Sequence, residues 1–285
     1  MEQKIMSFFA RTPIHVGAGN SVGAIDSPIA RERHTRIPIL PGSALKGVLS
    51  DMWSENSDRT EKETLFGTEK QAGGLLIGEA RVLAFPLRSA RGAFAWITCP
   101  LALERFNRDS GRHLSIPKLT PDKQNEMFCA AGDQILAEKN SVVLEEYVFT
   151  QNSNGKSALD EIEKTFLDLS DDPVWKELLP GHLAMISNEM FSYFVENACE
   201  VVTRVRIDDE KGIVANGALF NQEQLPSETL LYSVIGWQKK KENAPWTDLE
   251  NKFTANAGQL QIGGDETIGL GCCSIKLEKQ AEGGN

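Results

Sequence analysis

The sequence predicts an α+β fold in which a ferredoxin-like sheet carries large insertions. The predicted segments run strand, helix, two strands, a mostly helical middle and then strands, whereas a doubly wound fold alternates strand and helix throughout. The length of 285 residues suits one domain with sizeable insertions. A hydrophobic content of 41% and a charged content of 25% are ordinary for a globular chain. These observations predict a single domain over residues 1–285.

The individual elements are predicted from local patterns. Leu45, Leu49 and Trp53 recur on one face at helical spacing. Ser43 is a suitable N-cap, so a helix is predicted over residues 41–53. Further strands are predicted over 4–16, 75–87, 92–99, 142–150, 230–237 and 271–279, further helices over 99–108, 122–139, 157–169 and 183–198, and a β-hairpin over 201–220.

The net charge of −10 is unevenly distributed along the chain. Residues 121–200 contain 5 basic and 16 acidic side chains, whereas residues 1–50 contain 6 basic and 3 acidic ones. Because the local field steers a phosphate backbone more than the total charge does, the acidic total weakens a nucleic-acid function without excluding it.

The composition also bears on location. No apolar run approaches the roughly 18 residues of a membrane span, and the N-terminus lacks the apolar stretch of a secretory signal. Five cysteines without paired spacing predict reduced thiols and argue against a zinc site. We therefore expect a cytoplasmic protein with no membrane partner.

Residues 14–47 contain the chemistry that most needs explaining. His15 is followed by glycines, then by Asp26, then by a basic stretch, and Lys46 lies in the first turn of the predicted helix. The basic stretch contains Arg31, Arg33, His34 and Arg36. Arginines and a helix N-terminus favour phosphate, and glycines allow close backbone approach. The segment predicts a grip on a nucleic-acid backbone with one acidic group aimed into it.

Each of these features also has a purely structural interpretation. His15 taken alone favours a satisfied core histidine, Lys46 a solvated helix lysine, and Asp26 a turn or cap residue. The glycines of residues 17–23 lack the following helix of a dinucleotide site, because Pro28 opposes one. The glycine-rich loop at 262–271 is either a tight turn or a set of amides placed against phosphates.

Three strings together identify a family. Residues 14–35 (IHVGAGNSVGAIDSPIARERHT), 37–49 (IPILPGSALKGVL) and 262–271 (IGGDETIGLG) resemble the RAMP superfamily of CRISPR proteins. Within it the chain is similar to the backbone subunits of type III-B (Cmr) RNA-guided effectors, and the hairpin region 203–226 matches as well. The resemblance covers nearly the whole length.

The resemblance implies a fold, partners and a reaction. It implies an RRM-like, modified ferredoxin-like palm, a helical insertion at about 100–200 and a thumb hairpin at about 204–226. Copies of such a subunit stack as a filament on guide RNA with other Cmr subunits, and target RNA is cut at regular intervals. The implied cleavage residue is Asp26, assisted by His15 and, with a looser alignment, by Glu223. Mg²⁺ or another divalent cation on Asp26 is the expected cofactor.

The expected RNA-binding residues come from the basic segment, the first helix, the hairpin base and the C-terminal loop. They are Arg31, Arg33, Arg36, Ser43, Lys46, Arg204, Arg206, Gly263, Gly264, Gly269 and Gly271. Two other functions compete with cleavage of target RNA in a complex. One is a non-catalytic structural subunit that binds guide RNA, and the other is a stand-alone endoribonuclease that processes CRISPR repeats.

Overall fold

The structure is a computed structural model in which most elements follow the predicted order. It describes residues 2–19, 24–53, 58–120, 123, 125–130, 134–137, 140–207, 214–238 and 243–279. The strands are β1 (Glu2–Ala10), β2 (Ile39–Leu40), β3 (Leu75–Ile77), β4 (Ala80–Arg88), β5 (Phe94–Thr98), β6 (Glu126–Cys129), β7 (Ser141–Leu144), β8 (Tyr147–Gln151), β9 (Leu183–Met185), β10 (Glu200–Ile207), β11 (Val214–Gln224), β12 (Leu230–Trp237), β13 (Gln259–Gln261) and β14 (Cys272–Lys279). The helices are α1 (Gly42–Asp51), α2 (Arg59–Phe66), α3 (Pro100–Ser110), α4 (Lys156–Leu167), α5 (Pro173–Leu178), α6 (Asn188–Asn197) and α7 (Trp246–Ala255).

One mixed sheet organises the molecule. Its strands lie in the order β13-β14-β1-β12-β4-β5-β9-β6-β8-β7, with β2 paired to β4 and β3 paired to β12. The β1 strand runs antiparallel to both of its neighbours, β12 and β14, whereas β5 and β9 are parallel. The predicted mixture of helices and sheet is thus confirmed, and the RRM-like arrangement of the palm stays a prediction.

Aromatic side chains join the sheet to the helices of the acidic region. The ring centroids of Phe9 and Trp175 are 5.1 Å apart, and those of Trp96 and Trp175 are 5.0 Å apart. All three side chains are almost completely buried. The first contact is tilted and the second is edge-to-face. Such aromatic pairs add to the burial of apolar area, so α5 is firmly attached to β1 and β5. Among the described residues, no helix is long and apolar enough to cross a bilayer.

The β10 and β11 strands form a separate two-stranded ribbon. They pair from Glu200 with Gln224 to Val205 with Leu219, and again at Ile207 with Val214. The predicted hairpin is therefore confirmed, although its predicted turn at 208–212 lies outside the described residues. Because the main sheet does not include this ribbon, the hairpin stands apart from the core.

Two predictions in the middle of the chain are wrong. The helix predicted over 122–139 is replaced by β6, whose residues are all buried, since a short run of buried apolar residues does not distinguish a helix from a strand. The single strand predicted over 142–150 is two strands, because the chain turns at Glu145, where φ is 49°. Between 100 and 200 the described residues thus contain β6, β7, β8 and β9 as well as helices.

The ends of two further elements also differ from prediction. The first strand stops at Ala10 instead of continuing to residue 16. The segment 183–198, predicted as one helix, begins with the buried strand β9 and becomes helical only at Asn188, where Ser187 caps α6 through its side chain. The helices α2, α5 and α7 were not predicted, although α7 buries Trp246, Leu249 and Phe253 at helical spacing.

Candidate nucleic-acid interface and cleavage site

Two N-terminal segments flank the base of the β10–β11 ribbon. Ile14 exchanges backbone hydrogen bonds with Leu225 at 2.8 and 2.9 Å. Ser27 donates its N–H to the carbonyl of Asn221 at 2.9 Å, and its own carbonyl accepts from Glu223 at 2.9 Å. The strand end at 221–225 therefore brings the segments containing His15 and Asp26 to the same place in the structure. In the sequence, a glycine-rich stretch separates these two residues.

His15 is held by a backbone carbonyl and a hydroxyl. Its Nδ1 lies 2.7 Å from the carbonyl oxygen of Glu223, and its Nε2 lies 3.2 Å from Oγ of Ser27. A carbonyl only accepts, so Nδ1 carries the proton in the neutral ring and Nε2 accepts from the serine hydroxyl. With 9% of its surface exposed, His15 reaches the surface through Ser27, the direct neighbour of Asp26.

Asp26 is exposed at the foot of the ribbon. Its Oδ2 accepts a hydrogen bond from the backbone N–H of Asn221 at 2.9 Å. This contact fixes the carboxylate against β11 while leaving it open to solvent. A fixed, solvent-accessible carboxylate is suited to contact a ligand hydroxyl or a cation.

Glu223 has both carboxylate oxygens occupied by the protein. Its Oε1 lies 2.6 Å from Nη2 of Arg31, and its Oε2 accepts from the backbone N–H of Ile29 at 3.0 Å. The side chains of Arg31 and Glu223 are only 4% and 5% exposed. This geometry makes Glu223 an anchor for residues 29–31 and does not support the catalytic role we predicted for it.

Arg31 faces inward and is not presented to RNA. Its Nη1 also donates to the carbonyls of Arg36 at 2.7 Å and Val195 at 2.9 Å, and its Nη2 to Sγ of Cys199 at 3.3 Å. Burial raises the pKa of the Cys199 thiol to about 12, so the sulfur stays protonated. Of the predicted basic contacts, Arg31 is therefore structural.

The rest of the basic stretch forms a turn that Arg105 of α3 holds in place. Nη1 of Arg105 donates to the two oxygens of Glu32 at 2.9 and 3.0 Å. Burial would raise the pKa of Glu32, but hydrogen bonds from Thr35 and Arg105 outweigh it and hold the pKa below its usual value. Arg33 and Arg36 are both exposed on this turn, and Nε of Arg36 also donates to Glu196 at 2.9 Å.

The helix α1 begins at Gly42 with Pro41 at the N-cap position, so Ser43 lies inside the helix and the predicted Ser43 cap is wrong. The first two turns of α1 expose one face to solvent. Ser43, Lys46 and Gly47 are exposed, whereas Leu45 and Leu49 are buried. Because free amides and the helix dipole favour an anion at this end, the exposed lysine adds to an existing preference.

The glycine-rich loop, residues 262–271, contains two kinds of glycine. A Cβ on Gly263 would lie 2.2 Å from the carbonyl oxygen of His15, and one on Gly271 would lie 2.2 Å from that of Ile262. These two glycines are required by packing. Gly264 and Gly269 are exposed, and a Cβ on either would meet nothing within 4 Å. Their N–H groups already donate to His15 at 3.0 Å and to Glu266 at 2.9 Å, so these glycines offer close approach to a ligand and not free amides.

The ribbon base is tied to this loop by polar side chains. Gln222 donates Nε2–H to Oδ2 of Asp265 at 2.7 Å, and Nη2 of Arg204 lies 3.6 Å from the same oxygen. Arg204, with 22% of its side chain exposed, is thus engaged within the protein. Sequence reasoning did not single out Gln222, Asn221 or Ser27; the unbroken polar run at 221–224 was the available signal.

A resident metal site is not built from the protein alone. Among the residues that the structure describes, no group of three or more His, Cys, Asp or Glu side chains could hold a metal ion. Asp26 supplies one exposed carboxylate, and Mg²⁺ is commonly held by one or two carboxylates together with substrate phosphates. The donor set therefore fits a cation shared with bound RNA.

Comparison with known proteins matches this chain over nearly its whole length. The family model described as the RAMP superfamily matches residues 9–274. The protein named CRISPR system Cmr endoribonuclease Cmr4 from Pyrococcus furiosus is 35% identical over 298 residues, which cover 100% of this chain and 98% of the relative.

Solved structures show the same fold. The crystal structure of oligomeric Cmr4 from Pyrococcus furiosus superposes with a TM-score of 0.76 at 27% identity, covering 99% of this chain and all of the other. A chain of the type III-B Cmr-beta complex bound to cognate target RNA shares the fold with a TM-score of 0.72 at 20% identity, covering 97% of each chain.

Proposed function

Because this chain belongs to the RAMP superfamily, we propose that it is a backbone subunit of a type III-B (Cmr) effector that cleaves target RNA. In this proposal, copies of the chain assemble as a filament with guide RNA and other Cmr subunits in the cytoplasm. The observation that carries the proposal is the exposed Asp26 carboxylate, fixed by Asn221 at the base of the ribbon.

Guide RNA would lie across the exposed cations and the glycine-rich loop. Lys46 and Ser43 in α1 and the two arginines Arg33 and Arg36 on the basic turn are exposed and can contact phosphates. The missing side chains of Gly264 and Gly269 allow RNA to approach the loop closely. The guanidinium of Arg204 contacts Gln222 and Asp265, which supports a role for Arg204 in stabilising the base of the ribbon. Arg206 stays a predicted contact.

The reaction would use the nucleophile that RNA contains. The 2′-oxygen attacks the adjacent phosphorus, the 2′-O–P bond forms, and the bond from phosphorus to the 5′-oxygen breaks. A nucleotide splayed out of a duplex can bring these atoms into line, whereas A-form geometry resists it. Asp26 would accept a hydrogen bond from the 2′-hydroxyl and hold the nucleophile in place. As the 2′-O–P bond forms, the hydroxyl proton would pass through Asp26 to solvent, leaving a 2′,3′-cyclic phosphate and a free 5′-hydroxyl.

His15 would act from behind Ser27. Since its Nδ1 is occupied by the carbonyl of Glu223, only Nε2 can exchange a proton with the site, through the serine hydroxyl. Protonated His15 would supply the proton that the departing 5′-oxygen requires. Mg²⁺, when held by Asp26 and RNA phosphate oxygens, would offset negative charge on the phosphate.

Asp26→Asn tests this function in the assembled complex with guide and complementary target RNA. Asparagine keeps an oxygen that can accept from Asn221 and removes the charge, so cleavage should be lost while RNA binding and assembly persist. Asp168→Asn makes the same change at an exposed position beyond α4 and serves as the matched control. Products are resolved on a sequencing gel.

Two outcomes favour the competing functions. Undiminished cleavage by Asp26→Asn would falsify the catalytic assignment and leave a structural, guide-binding subunit. Cutting of hairpin repeat RNA by the isolated chain, without guide or partners, would instead identify a repeat-processing enzyme.

A further inference from the structure

A closed polar cluster joins the ribbon to the glycine-rich loop. Oδ2 of Asp265 accepts from Nε2 of Gln222 at 2.7 Å and lies 3.6 Å from Nη2 of Arg204. Oε1 of Gln222 in turn accepts from Nε of Arg204. Each of the three side chains therefore contacts the other two, and they come from the loop, β11 and β10. Gln222 is 5% exposed, whereas the side chains of Arg204 and Asp265 are 22% and 33% exposed, so the cluster has a buried centre and a partly solvated rim.

The loop side of this cluster is fixed by backbone contacts. Gly264 donates its N–H to the carbonyl of His15 at 3.0 Å, and Gly263 approaches the same carbonyl too closely for any side chain. Asp265 itself has a φ of 65°, in the left-handed region. The Asp265 carboxylate is thus presented from a fixed position beside the segment that contains His15.

The ribbon side of the cluster holds the proposed cleavage residues. Gln222 lies between Asn221, which binds Asp26 through its N–H, and Glu223, whose carbonyl accepts from His15. If Gln222 moves relative to the loop, its neighbours Asn221 and Glu223 move with it. The hydrogen bonds that hold Asp26 and His15 are then displaced as well.

We propose that Asp265 is a positioning residue for RNA cleavage. It holds Gln222 against the glycine-rich loop and so fixes Asp26 relative to RNA bound on that loop; this inference rests on the proposed function. A carboxylate next to phosphate opposes RNA binding, so binding alone gives no reason for an acid here. Displacing a reacting group by about 1 Å can slow a reaction about 100-fold, so a side chain that touches no substrate can still control the rate.

Asp265→Gly and Asp265→Asn separate positioning from folding. Glycine and asparagine both tolerate a positive φ, so neither substitution strains the loop. With saturating target RNA in the assembled complex, Asp265→Gly should cleave at least about tenfold more slowly in a single turnover, while guide affinity stays equal or tightens. Asp265→Asn keeps an oxygen for Gln222 and should restore most of the rate. Gln222→Ala combined with Asp265→Gly should be no slower than the slower single variant.

The comparison variants make each outcome decisive. Glu266→Gln removes one negative charge from the same loop and reports what charge alone does to affinity and rate. If Asp265→Gly cleaves as fast as Glu266→Gln, or if Asp265→Asn is as slow as Asp265→Gly, the positioning role is overturned. Asp26→Asn is measured in parallel: cleavage by that variant refutes the proposed function, whereas an inactive Asp26→Asn with a fully active Asp265→Gly refutes only the role of Asp265.

Discussion

Arg31 and Glu223 show how a charge pair can serve the site without taking part in the chemistry. Both side chains are about 95% buried, and each is satisfied by further hydrogen bonds. Burying two charges costs several kcal/mol, which their attraction offsets only when the geometry is good. The pair joins residues 29–31 to β11 and so keeps the segment after Asp26 against the ribbon.

We predict that Glu223→Gln destabilises the protein before it affects catalysis. Removing one member of a buried pair leaves the other charge uncompensated, which costs about 3–5 kcal/mol. The Tm of the isolated chain should fall clearly, and the double variant Arg31→Met/Glu223→Leu should recover much of the loss. Unchanged stability together with lost cleavage would instead identify Glu223 as a catalytic acid.

For individual residues, the sequence indicated candidate site residues better than it indicated the contacts that those residues make. His15 and Asp26 were found because a histidine and an isolated acid stand out in a glycine-rich, basic segment. The partner of Arg31 lies 192 positions away, and no local pattern encodes such a pairing. Asp26 and Asn221 are 195 positions apart, so their contact is likewise not visible in any local pattern.

The β10–β11 ribbon exposes apolar side chains to solvent, which does not stabilise a free monomer. Val201, Val205 and Leu219 are 53%, 51% and 62% exposed. An isolated two-stranded ribbon is only marginally stable in water, so these side chains favour a ribbon that is completed by contact with another molecule. In the proposed function that contact is the guide–target duplex.

Deleting Ile207–Val214 should preserve the fold and disturb the cuts. The residues left between Val205 and Leu219 include Gly217 and can close a shorter hairpin. Because the ribbon stands outside the main sheet, the Tm of the isolated subunit should change little, whereas the regular spacing of target fragments on a sequencing gel should disappear. An intact ladder would mean that another element interrupts the duplex, and a collapsed Tm that the ribbon belongs to the core.

Elements were predicted well where their patterns were long and periodic. The helix α1 and the strand β12 fall within or close to their predicted ranges because burial on one or both faces leaves a clear pattern. The strand predicted over 75–87 is instead two strands, β3 and β4. The β6 strand was mistaken for a helix because four buried residues fit either period. Its identity is set by pairing with β8 and β9, which are distant in sequence.

At the scale of the whole molecule, charge is separated between regions. The acidic residues concentrate at 121–200, whereas Arg33 and Lys46 are exposed near the N-terminus. The net charge of −10 does not describe the field at the proposed RNA surface. RNA binding should therefore depend on a few local cations and on ionic strength.

Lys46→Ala should weaken guide binding and reduce its dependence on salt. Each phosphate contact on a single strand contributes a slope of about −0.7 to log affinity against log salt concentration. Affinity measured across a salt series should show a slope shallower by about that amount, with cleavage of bound target unchanged. Lys164→Ala, at an exposed lysine of α4, is the control. A slope equal to that of the wild type would make Lys46 a solvated helix lysine.

The position of β1 has a consequence for biosynthesis. This strand is synthesised well before β12 and β14, the two strands between which it lies. At about 5–20 residues per second, tens of seconds separate its synthesis from that of its partners. During that time Phe8 and Phe9 are not buried as they are in the folded protein, and both edges of β1 lack their partner strands. The sheet around β1 can therefore close only after β14 has been synthesised, and until then these apolar residues are open to aggregation.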